Sequence, residues 1–164
     1  MDAPLATLSL TSSVVHLRRA TAADLPAIAA LLAADPLGCA RENAGEHDDS
    51  GPYERAFALI DADPAHLLLV ATEGETVVGT MQLSFIPGLS RRGALRAQIE
   101  GVRVHESHRN AGLGAGMTSW AIQQARTRGC ALVQLTIDKA RDYAHRFYDR
   151  LGFVASHEGR KLQL

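Results

Sequence analysis

Six consecutive residues, Arg109-Asn110-Ala111-Gly112-Leu113-Gly114, have the types and spacing to hold an anion. Before them Ile99, Val102 and Val104 give the β-branched density of a buried strand, and after them Leu113, Met117, Trp120, Ala121 and Ala125 recur at helical spacing. The glycines therefore fall where a strand becomes a helix. The first turn of a helix leaves backbone N–H groups without partners and its dipole favours negative charge, while glycine, lacking Cβ, lets a phosphate come close. The pattern predicts a pyrophosphate guest. Two familiar phosphate loops do not fit it. A Walker loop needs Lys-Ser/Thr where Ala115-Gly116 stand, and a dinucleotide-binding turn needs a third glycine where Met117 stands, within a strand-helix alternation that the upstream chain lacks.

The elements that must position this loop can be taken in order. Residues 14–18 read as a first strand, and Thr21 as an N-cap with Asp24 at N3 of an alanine- and leucine-rich helix that runs to Ala34 and stops at Asp35-Pro36. Residues 41–54 lack periodicity and hold five carboxylates, Asp48 and Asp49 among them, against one arginine. A solvated loop explains that composition, and so does an acidic rim that attracts a cation. A helix over 53–62 follows, then strands over 66–71 and 76–85 joined by a turn at Glu73-Gly74-Glu75, a loop over 87–93, and the strand that leads through Glu100 to the glycines. Gly101 is a candidate bulge. Beyond the long helix, 131–137 reads as another strand. A helix holding Tyr148 closes at Gly152, and two last strands are expected over 153–156 and 161–164. Residues 1–13 read as a loose extension to one domain spanning 14–164.

Composition narrows the partners. With 164 residues, 46% hydrophobic and 21% charged, the chain can bury a core, and its net charge of −1 leaves no basic excess for nucleic acid. No apolar run is long enough to span a bilayer and no leader pattern opens the chain, so no membrane partner and a cytoplasmic location are expected. Cys39 and Cys130 form no C-x-x-C, and seven histidines show no ligand spacing, so no metal site is expected.

Two motifs carry a family resemblance. Arg109-x-x-Gly112-x-Gly114 matches R/Q-x-x-G-x-G/A, and Ala144-His145-Arg146-Phe147-Tyr148-Asp149-Arg150-Leu151-Gly152-Phe153 is similar to A-x-x-F/L-Y-E/D-x-L-G-F. Together, with a strand between them, they resemble the GNAT superfamily of acetyl-CoA-dependent N-acetyltransferases. The resemblance runs from about Val14 to the C-terminus and is densest over 98–154. It implies an α/β (α+β) single domain: a mixed, mostly antiparallel sheet of six to seven strands flanked by about four helices. Its fourth and fifth strands, counted from Val14, would be splayed to admit a pantetheine arm.

The resemblance also implies roles. Acetyl-CoA would be the cosubstrate, its pyrophosphate cradled by Arg109, Asn110, Ala111, Gly112, Leu113, Gly114 and Ala115, its pantetheine paired with the backbone of Val102, Arg103 and Val104. Tyr148 matches the tyrosine that protonates the departing thiolate; the alternative is an aromatic that only packs. Glu100 stands where a carboxylate deprotonates the amine, or else binds the ammonium or pairs with Arg96 or Arg103. Arg141 replaces a commoner asparagine and either reaches a phosphate or is solvated. Tyr53, Asp48, Asp49, Ser84 and Phe85 are candidate acceptor-site residues. The implied reaction is direct acetyl transfer to a primary amine, with a small cationic acceptor suggested by the acidic segment. A non-catalytic acetyl-CoA-binding or sensor module of the same fold, or a nucleotide-binding protein outside the superfamily, would present the same glycine loop. Homodimers are common in the resembled family, and no residue marks the surface one would use.

Overall fold

A computed structural model describes residues 3–34 and 50–164. Six strands form one sheet in the order β1-β2-β3-β4-β5-β6. They are β1 (Ala6–Ser9), β2 (Val14–Arg19), β3 (His66–Glu73), β4 (Thr76–Ile86), β5 (Arg96–Val104) and β6 (Leu132–Leu135). Every neighbouring pair is antiparallel except β5 with β6, which is parallel. Among the described residues four helices of nine residues or more accompany them, α1 (Leu25–Ala33), α2 (Gly51–Ala62), α3 (Leu113–Thr127) and α4 (Asp142–Arg150), and a single helical turn over Ser90–Gly93 lies between β4 and β5. The expected mixed, mostly antiparallel sheet with about four helices is what the chain adopts.

The central strands are covered on both faces, which explains their nearly unbroken apolar runs. Leu67, Leu69 and Ala71 of β3, Met81, Leu83 and Phe85 of β4, and Ala97 and Ile99 of β5 pack against Leu113, Met117, Ala121 and Ala125 of α3. Alternate residues turn to the other face, where Val70 meets Ile28 and Leu32 of α1 and Phe57 of α2. The predicted Thr21 cap with Asp24 at N3 heads a 3-10 turn over Ala22–Asp24 that leads into α1, whose own N-cap is Asp24. The Thr21 backbone and hydroxyl both donate to Asp24 Oδ2, at 2.7 and 2.9 Å.

Asp24 is also gripped by the Arg18 guanidinium through two bonds of 2.7 Å. The paired guanidinium foremost, helped by the Thr21 donors, holds its carboxyl below the usual carboxylate range against the opposing effect of burial. A lowered folded-state pKa means stabilisation that is complete above the ordinary aspartate range and lost as pH falls through the folded value. Arg18 keeps a third of its side chain in water, so its charge can rehydrate when the partner is removed. Asp24→Ala is therefore expected to cost about 2–3 kcal/mol, below the range for a fully buried pair. Thermal unfolding at pH 7 would show a Tm about 5–10 °C lower, with the gap closing as the pH is taken well below 4.

Three expectations differ from the structure. Residues 6–9 are not loose but form edge strand β1, which pairs Ala6 with Leu17 and Ser9 with Val14. Only Leu132–Leu135 of the 131–137 segment is strand. The last two strands are absent: beyond α4, Phe153 packs on the core while Val154 and Leu162 stand 81% and 87% exposed. The polar run 156–161 has too little apolar surface to offset the entropy of ordering it against β6. No described helix is long and apolar enough to cross a membrane.

Candidate active site

The strand-to-helix junction has the geometry that its residue types require. Strand β5 bends where Gly101 and Val102 together oppose Met81, between the register pairs Gln82–Glu100 and Thr80–Arg103. Gly101 takes φ +60°, so it is the bulge residue that the sequence suggested. β6 pairs with β5 only from Arg96–Leu132 to Ile99–Leu135 and then ends. Residues 100–104 continue without a β6 partner, and the two strands part. These are the fourth and fifth strands counted from Val14.

Helix α3 opens beside the parted edge. Gly112, its N-cap, has φ +93°, and no side chain caps the helix. The first helical bond runs from the Gly116 amide to the Gly112 carbonyl at 2.9 Å. The amides of Leu113, Gly114 and Ala115 therefore have no acceptor among the described residues. Free amides and the helix dipole converge on one spot, which suits an anion. Just upstream, Asn110 takes φ +61° and its side-chain oxygen accepts from the Tyr143 hydroxyl at 3.2 Å.

A cleft of about 680 Å³ lies here. One wall is Val102, Arg103 and Val104 of β5 with Arg109, Asn110 and residues 112–115; the other is Arg141, Tyr143, Ala144, Phe147, Tyr148 and Arg150 from α4 and its approach. Every residue nominated for acetyl-CoA lines it except Ala111. A second cavity of about 120 Å³ adjoins it between the parted strands, sharing Val102, Arg103, Arg141, Ala144 and Tyr148 and adding Glu100 and Asp138. Tyr148 thus borders both spaces, with Glu100 on the smaller.

Tyr148 is held by edge-to-face contacts with Phe147 and Phe153, at centroid distances of 4.9 and 5.6 Å. Its hydroxyl has no hydrogen-bond partner among the described residues. Burial pushes its pKa up, opposed by the nearby positive charges of Arg103 and Arg141. Glu100 is exposed, and among the described residues no arginine pairs with it.

The acceptor nominations fare differently. Ser84 is buried and bonds the His66 ring at 2.8 Å, while Phe85 lies under the Arg128 guanidinium, 3.9 Å from its carbon. Neither borders either cavity, because the strand pleat turns Ser84 to the α1 face and Phe85 to the α3 core. Tyr53 sits at the start of α2 and lines neither cavity, and Asp48, Asp49 and Cys39 lie outside the described residues. Residues the sequence reading did not nominate for the site include Phe147, Tyr143, Ala144, Arg150 and His108. The first four form one stripe of α4, Tyr143, Ala144 and Arg150 lying four, three and three residues from Phe147, the residue next to Tyr148. His108 instead arrives by a long-range contact, 3.1 Å from Glu73 Oε2. Among the described residues no group of three or more metal-ligating side chains occurs.

The comparisons with known proteins agree with this architecture. The profile of the Acetyltransferase (GNAT) family matches residues 27–153. The aminoalkylphosphonate N-acetyltransferase of Salmonella typhimurium is 30% identical over 145 residues, 88% of this chain and 88% of that protein. The glucosamine 6-phosphate N-acetyltransferase of Trypanosoma brucei brucei is 33% identical over 88 residues, 54% of this chain and 58% of that one. A solved structure described as a transcriptional regulator from Bacillus halodurans C-125 superposes with a TM-score of 0.86 at 46% identity, over 92% of this chain and 99% of that chain. Fold and comparisons together define an acyltransferase. The chain belongs to the GNAT family, whose members use acetyl-CoA, and it is an acetyltransferase enzyme.

Proposed function

We propose that the enzyme transfers the acetyl group of acetyl-CoA directly to the primary amine of a small acceptor that is cationic at that amine. The observation that carries this reading is the cleft itself, which joins the uncapped amides of α3 to the unpaired edge of β5 and ends at Tyr148. The amides of Leu113, Gly114 and Ala115 suit the diphosphate of the coenzyme, and the edge of residues 102–104 suits its pantetheine amides. That route leads the thioester to the space between Glu100 and Tyr148.

The chemistry follows from charge. An ammonium has no lone pair, so it must give up a proton, and Glu100 is the carboxylate beside the smaller cavity that takes it, directly or through water. The amine nitrogen then bonds to the thioester carbon while the carbonyl oxygen becomes an oxyanion. Backbone amides at the bulge are its donors. The C–S bond breaks as the amide carbonyl reforms, and the thiolate takes a proton from the Tyr148 hydroxyl.

The test is release of free CoA from acetyl-CoA in the presence of a panel of primary amines. Release that depends on the amine, with the acetylamide found in equal amount, supports direct transfer. Binding of CoA without turnover of any amine would favour a sensor module, a reading that the transcriptional-regulator description of the 46%-identical structure supports. Glu100→Gln separates base from bystander. It is expected to lower kcat by about two orders of magnitude and to remove the acidic limb of the pH profile; an unchanged limb eliminates Glu100 as the base.

A further inference from the structure

Resting on that acetyl-transfer reading, we propose that the guanidinium groups of Arg103 and Arg141 form a cationic throat between the two cavities, which stabilises the negative charge left on Tyr148 when its proton passes to the departing thiolate.

The throat is defined by what the two spaces share. Five described residues border both: Val102, Arg103, Arg141, Ala144 and Tyr148. Two of them are apolar, two carry a permanent positive charge, and the fifth is the proton donor. A thioester that bridges the coenzyme cleft and the smaller cavity lies at this point. The other titratable groups stand to either side of it. Glu100 and Asp138 border the smaller cavity alone, whereas His108, Arg109 and Arg150 border the larger one alone. Helix α3 contributes only Leu113, Gly114 and Ala115, which carry no charge.

The backbone sets the place of each arginine. Arg103 follows the Gly101 bulge on β5, and its Nη1 donates to the Val102 carbonyl at 2.9 Å. Arg141 is the N-cap residue of α4, seven residues before Tyr148, and about two helical turns bring the two to the same side.

The chemistry supplies the demand. An ordinary phenol titrates about one and a half pH units above an ordinary thiol, so a proton that moves from tyrosine to a thiolate runs uphill. Burial of Tyr148 makes the step harder by raising the pKa of its hydroxyl, and the charges of Arg103 and Arg141 oppose that rise. Fixed cations beside the phenol act most strongly as the proton leaves, which is where catalysis gains from them. The step balances. The thiolate takes the proton from Tyr148 Oη, and the tyrosinate regains one from the new amide nitrogen, which sheds the extra proton it carries after attack. Arginine suits the role because it keeps its charge across the working pH range.

Titration of tyrosine labelled with 13C at Cζ reads the throat without turnover. The chain has three tyrosines, and the signal missing from Tyr148→Phe is that of Tyr148. A cation favours the ionised phenol, so Arg141→Gln and Arg103→Gln are each expected to move its midpoint upward by about half a pH unit or more. Arg141→Lys keeps the charge and is expected to leave the midpoint near the wild-type value. Arg141→Gln, off the sheet, serves alone should the β5 variant fail to fold. Steady-state kinetics supply the second arm. The double variant Arg103→Gln/Arg141→Gln is expected to lower kcat about tenfold with the KM for acetyl-CoA changed less than threefold, and to lower kcat no further when Tyr148 is already phenylalanine. A loss of the same size in the Tyr148→Phe background, or one carried by KM with kcat kept, overturns the inference. The two arms also keep it apart from the transfer reading. An upward shift with no turnover of any amine refutes acetyl transfer and upholds the charge coupling, while turnover with an unmoved midpoint upholds acetyl transfer and removes the throat.

Discussion

Replacing Tyr148 by phenylalanine is expected to lower kcat for acetyl transfer by about a hundredfold while changing the KM for acetyl-CoA less than threefold. The ring remains between Phe147 and Phe153, so the aromatic packing is kept and only the proton is removed. General acid catalysis of this kind contributes about two to four orders of magnitude, and a thiolate is a good enough leaving group to place the loss at the lower end. The pH profile supplies the sign. A tyrosine must be protonated to donate, and burial raises the pKa of Tyr148 above its ordinary value. The hydroxyl therefore stays ready through neutral and mildly alkaline pH, and the activity it supports falls only as the pH passes that raised value. Steady-state kinetics of Tyr148→Phe from pH 6 to 10 would show a uniform reduction. A variant as fast as the wild type would assign the proton to another group.

Gly112→Val is expected to weaken CoA binding by at least tenfold. At φ +93° the N-cap of α3 occupies backbone space that a β-branched residue reaches only at a cost of about 1–3 kcal/mol. Relief of that strain turns the first amides of the helix away from their common point. Gly114→Ala is the control. Its Cβ would meet Phe147 Cζ at 3.5 Å and Val104 Cγ2 at 3.7 Å, ordinary contacts that require no movement. Titration with CoA should thus separate two glycines that lie two residues apart: a large loss at Gly112, less than threefold at Gly114. Equal losses would mean that the loop binds through space for the phosphate and not through backbone direction.

What could be read from the sequence follows from where the information lies. The junction at Gly112 was legible because the apolar period changes there from that of a strand to that of a helix, and nothing distant is needed to see it. The same holds for the Thr21 and Asp24 turn that leads into α1. Strand β1 was not legible: Ala6-Thr7-Leu8-Ser9 has little strand propensity of its own and exists because β2 offers an edge in register. The opposite error fell on 153–156 and 161–164, whose strand-like residues find no partner. At the site, Ser84 and Phe85 were nominated together although adjacent strand residues must face opposite ways. Tyr148 and Glu100, nominated by motif and by position before the bulge, do border the smaller cavity.

The tenuous seam between β5 and β6 has a mechanical consequence. Four register pairs attach Leu132–Leu135 to the sheet, and no residue of α4, which follows, is fully buried. The C-terminal fifth of the molecule thus joins the sheet through a short hem, although it contributes an entire wall of the cleft. A coenzyme lying between α3 and α4 would act as a rivet through both flaps and draw Tyr148 into line as it seats. Loading the donor would then tighten the fold around Tyr148.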